Sequence, residues 1–311
     1  MPPAALNTPT LRRRTFLAGS GAAAALLGSG ALGRAAAQGR PVVVGGKNYT
    51  EQLLMAEMTA ALLRAKGIPA EKRDGLASAL LRQAQEGGEV DVYWEYTGTS
   101  LVVYNKVEER LSAEQTYERV KELDAKKGLV WLQPASVNNT YAIAVPAAKA
   151  AEGGLRTISD LARALSGGAS LKLATDGEFA RRDDGLVGLQ QAYDFKLPRT
   201  ALVLMDPGLT YDALHQGRVD AAAVLATDGR IKAFDFAVLA DDKGFFPAYT
   251  LCPVARQDAL DRTPGLADAL SDLSRRLNDD TMRALNGGVD VERKPVTEVA
   301  AAFLREQGLA G

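Results

Sequence analysis

The chain has 311 residues, of which 47% are hydrophobic and 24% charged, and its formal net charge is −1. This length and apolar content suffice for two modest domains, and the near-neutral charge argues against a nucleic-acid partner. Cys252 is the only cysteine, so no intramolecular disulfide can form, and no Cys/His cluster of the kind that binds zinc is present.

The N-terminal segment has the pattern of a twin-arginine signal peptide. Arg12, Arg13 and Arg14 precede a run of small and apolar residues over 18–32, and three alanines follow at 35–37. We predict a signal peptide over residues 1–37 and a soluble product in the periplasm. A membrane anchor is the alternative, but the run is short and glycine-rich for a span. Loss of the four arginines in this segment would change the net charge from −1 to −5, which again disfavours nucleic acid.

The mature chain begins with a strand, a tight turn and a helix. Residues 41–45 form a continuous apolar run that predicts a buried strand. The turn spans 46–49, Thr50 is a candidate helix cap, and Glu51 suits the positive end of the helix. Because this turn lies at the carboxyl end of a strand, it is a favoured place for a ligand in an α/β sheet.

The rest of the chain alternates strands and helices, which favours an α/β fold with parallel sheets. The further predicted strands are 90–96, 129–132, 171–175, 201–205, 219–226, 236–240 and 249–255. The further predicted helices are 77–85, 112–126 (opened by a Ser112/Gln115 capping box), a short helix capped by Ser159, 185–194, 210–216, and most of 265–309 with a last helix capped by Thr297.

Two similar runs lie over a hundred residues apart. Ser136–Pro146 is polar and then apolar, and Ala248–Val254 repeats the pattern. We interpret them as the places where the chain leaves one lobe and returns to it. Two crossings between two lobes form a hinge over a cleft, which is typical of a protein that encloses a ligand.

Few residues favour an enzyme. His215 is the only histidine and lies in a predicted helix, as expected for a solvated surface residue. The acid pairs that begin at Asp183, Asp241 and Asp279 are expected in exposed turns and helix ends. The spacing around Gly45-Gly46-Lys47 does not match a phosphate-binding or dinucleotide-binding loop. We predict no catalytic group, no metal site and no cofactor.

Tyrosines stand out because aromatic residues are scarce. Tyr49, Tyr96, Tyr141 and Tyr249 all fall at predicted strand ends or crossings. Rings that face a common point attract a poorly hydrated cation such as a trimethylammonium group. Packing of the same rings in the core near the hinge is the alternative, and spacing alone does not decide between the two.

Six segments together resemble the osmoprotectant-binding proteins of ABC importers, the family that binds glycine betaine, carnitine and choline. They cover nearly all of the mature chain in the family's order. These segments are GGKNYTEQ (45–52), EYTGT (95–99), NNTY (138–141), MDPGL (205–209), TDGRI (227–231) and DDKGFFP (241–247). The resemblance implies a two-lobed periplasmic-binding-protein fold of type II, without enzymatic activity.

The resemblance also implies roles for individual residues. The ammonium group would lie in a cage of Tyr96, Tyr141 and Tyr249, with the backbone of Asn139 against its methyl groups. The ligand carboxylate would contact a set formed by Lys47, Thr99 and an arginine of the EFARRDDG segment, for which Arg182 is favoured over Arg181.

Leu225 departs from the family pattern. It stands in the sequence LATD where cage-bearing members have tyrosine. Leucine has no π face, and the loss of one such wall, worth about 0.5–2 kcal/mol, predicts at least several-fold weaker betaine binding. The alternative is that the cavity serves another zwitterionic or amino-acid-like ligand.

The resemblance thus predicts a solute-binding protein that delivers a quaternary ammonium compound to an ABC permease, and nothing in the sequence demands more than a monomer. We expect one lobe over residues 40–142 plus 253–311 and the other over 143–252. A sensor or adaptor that binds the same ligand remains open. A transferase related to the porphobilinogen-processing enzymes shares the fold, but it needs a cofactor-bearing cysteine on a loop, and Cys252 lies in an apolar run.

Overall fold

The computed structural model describes residues 40–310, and the predicted signal peptide lies outside these described residues. Two five-stranded sheets flanked by helices form this part of the chain. In chain order the strands are β1 Val42–Lys47, β2 Ala70–Leu76, β3 Val92–Tyr96, β4 Leu129–Trp131, β5 Tyr141–Pro146, β6 Leu173–Thr175, β7 Leu202–Leu204, β8 Ala221–Leu225, β9 Phe236–Leu239 and β10 Leu251–Arg256.

The helices of the described residues include one long central helix, α1, that packs on the first sheet. They are α1 Thr50–Ala65, α2 Ser78–Glu86, α3 Ala113–Ala125, α4 Ala147–Gly153, α5 Ile158–Ser166, α6 Leu186–Tyr193, α7 Leu209–His215, α8 Arg230–Ala233, α9 Gln257–Arg262, α10 Leu266–Ser274, α11 Asp279–Asp290 and α12 Val296–Glu306. Among residues 40–310, none of these helices is both long and apolar enough to cross a membrane.

Both sheets have the same strand arrangement. The first has the order β2-β1-β3-β10-β4 and the second β7-β6-β8-β5-β9. In each, the fourth strand arrives from the other half of the chain and is antiparallel to its neighbours. The prediction of parallel sheets is confirmed for β1 with β2 and β3 and for β6 with β7 and β8. It is wrong for the fourth strand of each sheet, because this exchanged strand enters from the opposite direction. The predicted α/β class and two-lobed fold are confirmed.

The two predicted crossings lie side by side. The backbone N–H of Asn139 donates to the carbonyl of Tyr249 at 3.1 Å, and the Asn138 side chain accepts from the N–H of Tyr249 at 2.8 Å. Asn138 and Thr250 also form an antiparallel bridge. These bonds connect the segment that enters β5 with the segment that enters β10, so one hydrogen-bonded pair of segments joins the sheets.

Several details at helix ends differ from the prediction. The Ser112/Gln115 capping box is confirmed. Thr157, not Ser159, caps α5 through a box with Asp160, because the helix begins two residues earlier than predicted. Neither Thr50 nor Thr297 occupies a cap position: Tyr49 and Pro295 do.

Strand β2 was not predicted. Its sequence AEKRDGL is mostly exposed and carries no apolar alternation. It lies at the edge of the first sheet and pairs only with β1, and charged residues are favoured on such an edge because they discourage pairing with another chain.

Candidate functional site

A cavity of about 310 Å³ lies between the two sheets, at the ends of β1, β3 and β8. All the residues predicted to bind ligand contribute to its wall. They are Lys47, Tyr96, Thr99, Asn139, Tyr141, Arg182, Leu225 and Tyr249.

Three of the four tyrosines form one side of this cavity, which we call the cage region (Tyr96, Tyr141 and Tyr249). The rings of Tyr141 and Tyr249 meet edge to face with centroids 5.5 Å apart. Tyr96 and Tyr249 are 3% and 2% exposed, whereas Tyr141 is half-buried. The rings therefore line the cavity and also pack against the core, so the two interpretations of their spacing are compatible.

A glycine allows the cage region to assemble. A Cβ atom on Gly98 would lie 2.9 Å from both the carbonyl oxygen of Ala248 and a ring carbon of Tyr249. Only glycine permits this approach without displacement of the backbone of the second crossing. Thr99 then begins a short π-helix over Thr99–Tyr104, a distortion often found at functional sites.

Lys47 is buried at the end of β1 and already has a charged partner. Its ammonium group lies 2.6 Å from Glu95 Oε1, and both side chains are at most 3% exposed. The same ammonium lies 5.2 Å from the centroid of the Tyr96 ring. An ammonium group has three donors, so the pair with Glu95 leaves Lys47 able to bind a ligand oxygen.

Arg182 is held in a comparable way on the opposite wall. Its guanidinium donates two hydrogen bonds to Asp184, of 2.6 and 2.5 Å, and it lies 3.4 Å from the hydroxyl of Thr99. Arg181 is exposed. The expectation that Asp184 lies in an exposed turn is wrong: it is 4% exposed and also accepts from the Tyr249 hydroxyl at 2.7 Å.

Glu51 lies between the two sheets and collects hydrogen bonds from four elements. Its Oε1 accepts from the Tyr96 hydroxyl at 2.7 Å and from the Asn139 amide at 2.9 Å. Its Oε2 accepts from the Thr227 hydroxyl at 2.5 Å and from the Asn286 amide at 3.0 Å. Burial raises the pKa of this carboxyl above its usual range, and the four hydrogen bonds oppose that shift.

Leu225 lies at the end of β8, directly across from Tyr141 in the β5–β8 register. Paired residues of neighbouring strands lie on the same face of the sheet, so Leu225 and Tyr141 share a face. The backbone N–H of Leu225 donates to the Tyr211 hydroxyl at 2.8 Å. A tyrosine at position 225 would therefore add its ring next to that of Tyr141.

On the far side of Glu51 the cavity is lined by α11. We call Asn286 and Asp290 the acceptor region, because each presents a buried oxygen that has no hydrogen-bond partner among the described residues. A tight glycine contact brings this helix to the loop after β8: a Cβ atom on Gly229 would lie 2.7 Å from the Cα of Gly287.

Sequence reasoning missed three polar residues of the cavity wall and one residue, Glu95, that supports the wall from behind. Glu95, Glu51, Thr227 and Asn286 all bond to it or to one another. Glu51 was read only as a favourable charge at a helix start, and no local pattern distinguishes it from such a charge. Tyr49 was noticed as a ring but not assigned to the site, and it does line the cavity. Within residues 40–310 there is no group of three or more potential metal ligands.

The chain matches a known protein family over most of its length. The family model OpuAC, described as the substrate-binding domain of the ABC-type glycine betaine transport system, matches residues 40–306. A glycine-betaine-binding protein of Pseudomonas aeruginosa is 43% identical over 88% of this chain and 90% of its own length. The glycine betaine-binding protein YehZ of Escherichia coli is 35% identical over 86% of this chain and 91% of its own.

Solved structures agree with this match. The apo structure of YehZ superposes with a TM-score of 0.63 at 35% identity and covers 88% of this chain and 100% of that one. A structure described as a glycine betaine/carnitine/choline ABC transporter gives a TM-score of 0.70 at 28% identity, over 86% of this chain and 99% of that chain.

Proposed function

This chain belongs to the OpuAC family of substrate-binding domains of ABC-type glycine betaine transport systems, and we propose that it captures a betaine- or choline-like quaternary ammonium ligand between two lobes and delivers it to a membrane permease. The observation that carries this proposal is a single cavity lined by the three tyrosines of the cage region and by two basic side chains, Lys47 and Arg182. The family consists of transport proteins and is not an enzyme family.

The cage region supports a ligand with a positive and a negative end. Tyrosine faces attract the ammonium group, at about 0.5–2 kcal/mol per ring. Arg182 donates to the Thr99 hydroxyl at 3.4 Å across the cavity, and Lys47 has donors left after its pair with Glu95. These three groups would bind the ligand carboxylate, and closure of the lobes would strengthen the contacts by excluding water.

The chain would work as a monomer in the periplasm after export through the twin-arginine signal. We propose lobes of residues 40–142 plus 253–311 and 143–252. Strand membership favours a shift of these boundaries by about two residues, because Tyr141 and Ala142 belong to a strand of the second sheet and Leu251 and Cys252 to a strand of the first. The paired segments at Asn138 and Thr250 would act as the hinge.

Isothermal titration calorimetry of residues 38–311 with glycine betaine, choline, carnitine and proline tests this proposal. We expect glycine betaine or choline to bind, more weakly than in a protein with a complete cage. If none of the four binds while an unrelated zwitterion does, the assignment to quaternary ammonium ligands is wrong.

Leu225→Tyr sharpens the test. It should tighten glycine betaine binding about several-fold, by up to about 2 kcal/mol, because it restores a ring beside Tyr141. Leu204→Tyr is the matched control, since Leu204 also ends a strand but is exposed and lies outside the cavity wall. Equal affinities in both variants would show that the side chain at 225 does not face the ligand.

A further inference from the structure

One face of α11 lies against the loop that follows β8, and we call this helix face and loop 226–230 together the seam. The helix packs on α1 beside the first sheet, whereas the loop leads from β8 of the second sheet into α8, which packs on β9. The seam therefore joins the two lobes. In order along both segments, its contacting pairs are Arg283 with Ala226, Asn286 with Thr227, Gly287 with Gly229, and Asp290 with Arg230.

The spacing along α11 shows that a single side of the helix forms the seam. The four helix residues stand at positions i, i+3, i+4 and i+7, which lie on one face of an α-helix. Two of the pairs are hydrogen bonds from helix side chains to loop carbonyls, at 3.2 Å from Arg283 and 3.0 Å from Asn286. The last pair is ionic, with 3.4 Å between Arg230 and Asp290.

The third pair is a contact between two backbones. A Cβ atom on Gly229 would lie 2.7 Å from the Cα and 2.9 Å from the nitrogen of Gly287, and 3.0 Å from the carbonyl oxygen of Arg283. Because these are backbone atoms of a helix, no side-chain rotation relieves such a clash. Gly229 itself has φ −65° and ψ −22°, which any residue adopts. Glycine is therefore required by the helix across the seam and not by its own backbone conformation.

The seam runs away from the hinge. The helix α11 begins beside the first crossing, where the carboxylate of Asp279 accepts from the backbone N–H of Asn138 at 2.8 Å. Gly287 lies about two turns further along this helix, roughly 12 Å at 1.5 Å per residue. Opening of the lobes about the crossings separates points in proportion to their distance from the hinge. We therefore expect Gly229 to leave Gly287 when the lobes open, so that a Cβ atom at position 229 then has no clash.

We propose that Gly229 is a positioning residue for closure of the lobes. It lets them approach until the loop after β8 rests on α11, and the seam then holds the closed form around the ligand. The inference rests on the proposed function, since the ligand drives closure. A substitution that blocks the seam lowers the population of the closed form. The apparent affinity then falls by the same factor for every ligand, because the population is changed and not a ligand contact.

Gly229→Ala tests this role by calorimetry on residues 38–311. The added methyl group clashes with α11 only in the closed form, so each of glycine betaine, choline, carnitine and proline that binds the wild-type chain should bind about tenfold more weakly. Gly287→Ala is the matched control across the same contact and should leave affinity unchanged. Apart from its own helix backbone, the nearest described neighbour of its Cβ atom would be Gly229 Cα, at 4.0 Å.

Three outcomes of the titrations would overturn the proposal. Unchanged affinity in Gly229→Ala would mean that the seam does not affect closure. An equal loss in Gly229→Ala and Gly287→Ala would mean that the close backbone contact is not the cause. A loss that differs between ligands would mean that position 229 acts on a ligand contact and not on the closed population.

Two further measurements separate closure from stability. In small-angle X-ray scattering, saturating ligand should reduce the radius of gyration of the wild-type chain and of Gly287→Ala, and should reduce it less in Gly229→Ala. Without ligand, the melting temperature of Gly229→Ala should equal that of the wild type, because the open form carries no clash. Full contraction of Gly229→Ala would overturn the proposal, since the seam then does not limit closure. A lower melting temperature would overturn it as well, since the contact then belongs to the resting fold.

The titrations of the wild-type chain separate this inference from the proposed function. If a quaternary ammonium ligand binds the wild-type chain and binds Gly229→Ala equally well, the role of Gly229 is wrong and the proposed function stands. If none of the four ligands binds, the proposed function is wrong, and the inference, which depends on closure around such a ligand, is wrong as well.

Discussion

The cage region and the acceptor region face the same cavity but differ in how their polar groups are satisfied. The charged groups beside the cage are paired within the protein: Lys47 with Glu95 and Arg182 with Asp184. In the acceptor region Asn286 Oδ1 and the nearby Asp290 Oδ2 accept no hydrogen bond from the described residues. A ligand carboxylate at the cage must therefore share donors with internal carboxylates, whereas a donor at the acceptor region forms new bonds.

Glu51 accepts hydrogen bonds from both regions, from Tyr96 of the cage region and from Asn286 of the acceptor region. Its replacement should therefore have the largest effect on stability among the predicted changes. Glu51→Ala would remove the acceptor shared by four buried donor groups, and we expect a loss of about 3 kcal/mol in the free energy of unfolding. Urea denaturation measures the change.

Glu114→Ala is the matched control, since Glu114 is also an acid in the first turn of a helix but is exposed. Loss of a favourable charge at a helix start costs only about 0.3–1 kcal/mol. If the free energy of unfolding falls equally in the two variants, Glu51 stabilises the fold only as a favourable charge at a helix start. Its hydrogen bonds then do not contribute a stabilising link between the two regions.

Arg182→Ala tests whether the paired charges beside the cage still serve the ligand. Removal of this guanidinium leaves Asp184 buried without its partner, and we expect glycine betaine affinity to fall about 30-fold, or 2 kcal/mol. Arg181→Ala should leave affinity unchanged, because Arg181 is exposed. If calorimetry shows a larger loss of glycine betaine affinity in Arg181→Ala than in Arg182→Ala, the ligand carboxylate does not bind at Arg182.

Tyr141→Leu tests the aromatic part of the cage alone. Loss of one ring should weaken choline binding about fivefold, or 1 kcal/mol. Tyr117→Leu is the control, because that ring lies on α3 outside the cavity wall, beside Lys121. Choline has no carboxylate, so an unaltered affinity in Tyr141→Leu would mean that the ammonium group does not contact this ring.

The smallest expected effect is a pH dependence from Glu51. Its folded-state pKa is raised by burial, so it takes up a proton at a higher pH than an ordinary glutamate. Its contribution to stability is therefore fully present below the unfolded pKa and is lost as the pH rises through the folded pKa. Choline, whose charge is constant, should bind about threefold more weakly once Glu51 is protonated, because a nearby negative charge is lost.

Asp290 must be separated from Glu51 in this measurement, because burial also raises the pKa of Asp290. The charged groups nearest to Asp290 are Arg230, Asp228 and Arg293. A choline titration series over pH on Asp290→Asn should keep the dependence. Its disappearance in that variant would assign the effect to the acceptor region.

Local chemistry was enough to predict most elements of the fold. The alternation of strands and helices, the crossings at Ser136–Pro146 and Ala248–Val254, and the capping box at Ser112 depend on neighbouring residues, and each is present. Strand β2 was missed because an exposed edge strand carries no apolar pattern. The antiparallel strands were missed because the direction in which β5 and β10 enter their sheets leaves no local signal.

The sequence by itself determined which tyrosines and basic residues stand at strand ends, since turn residues and apolar runs fix where strands stop. Only the tertiary structure decided what surrounds them. Glu51 bonds to Asn139, Thr227 and Asn286, which are 88, 176 and 235 residues away. The physical reason is that burial and hydrogen bonding depend on how the two sheets and α11 pack, and no periodicity along the chain encodes contacts over such separations.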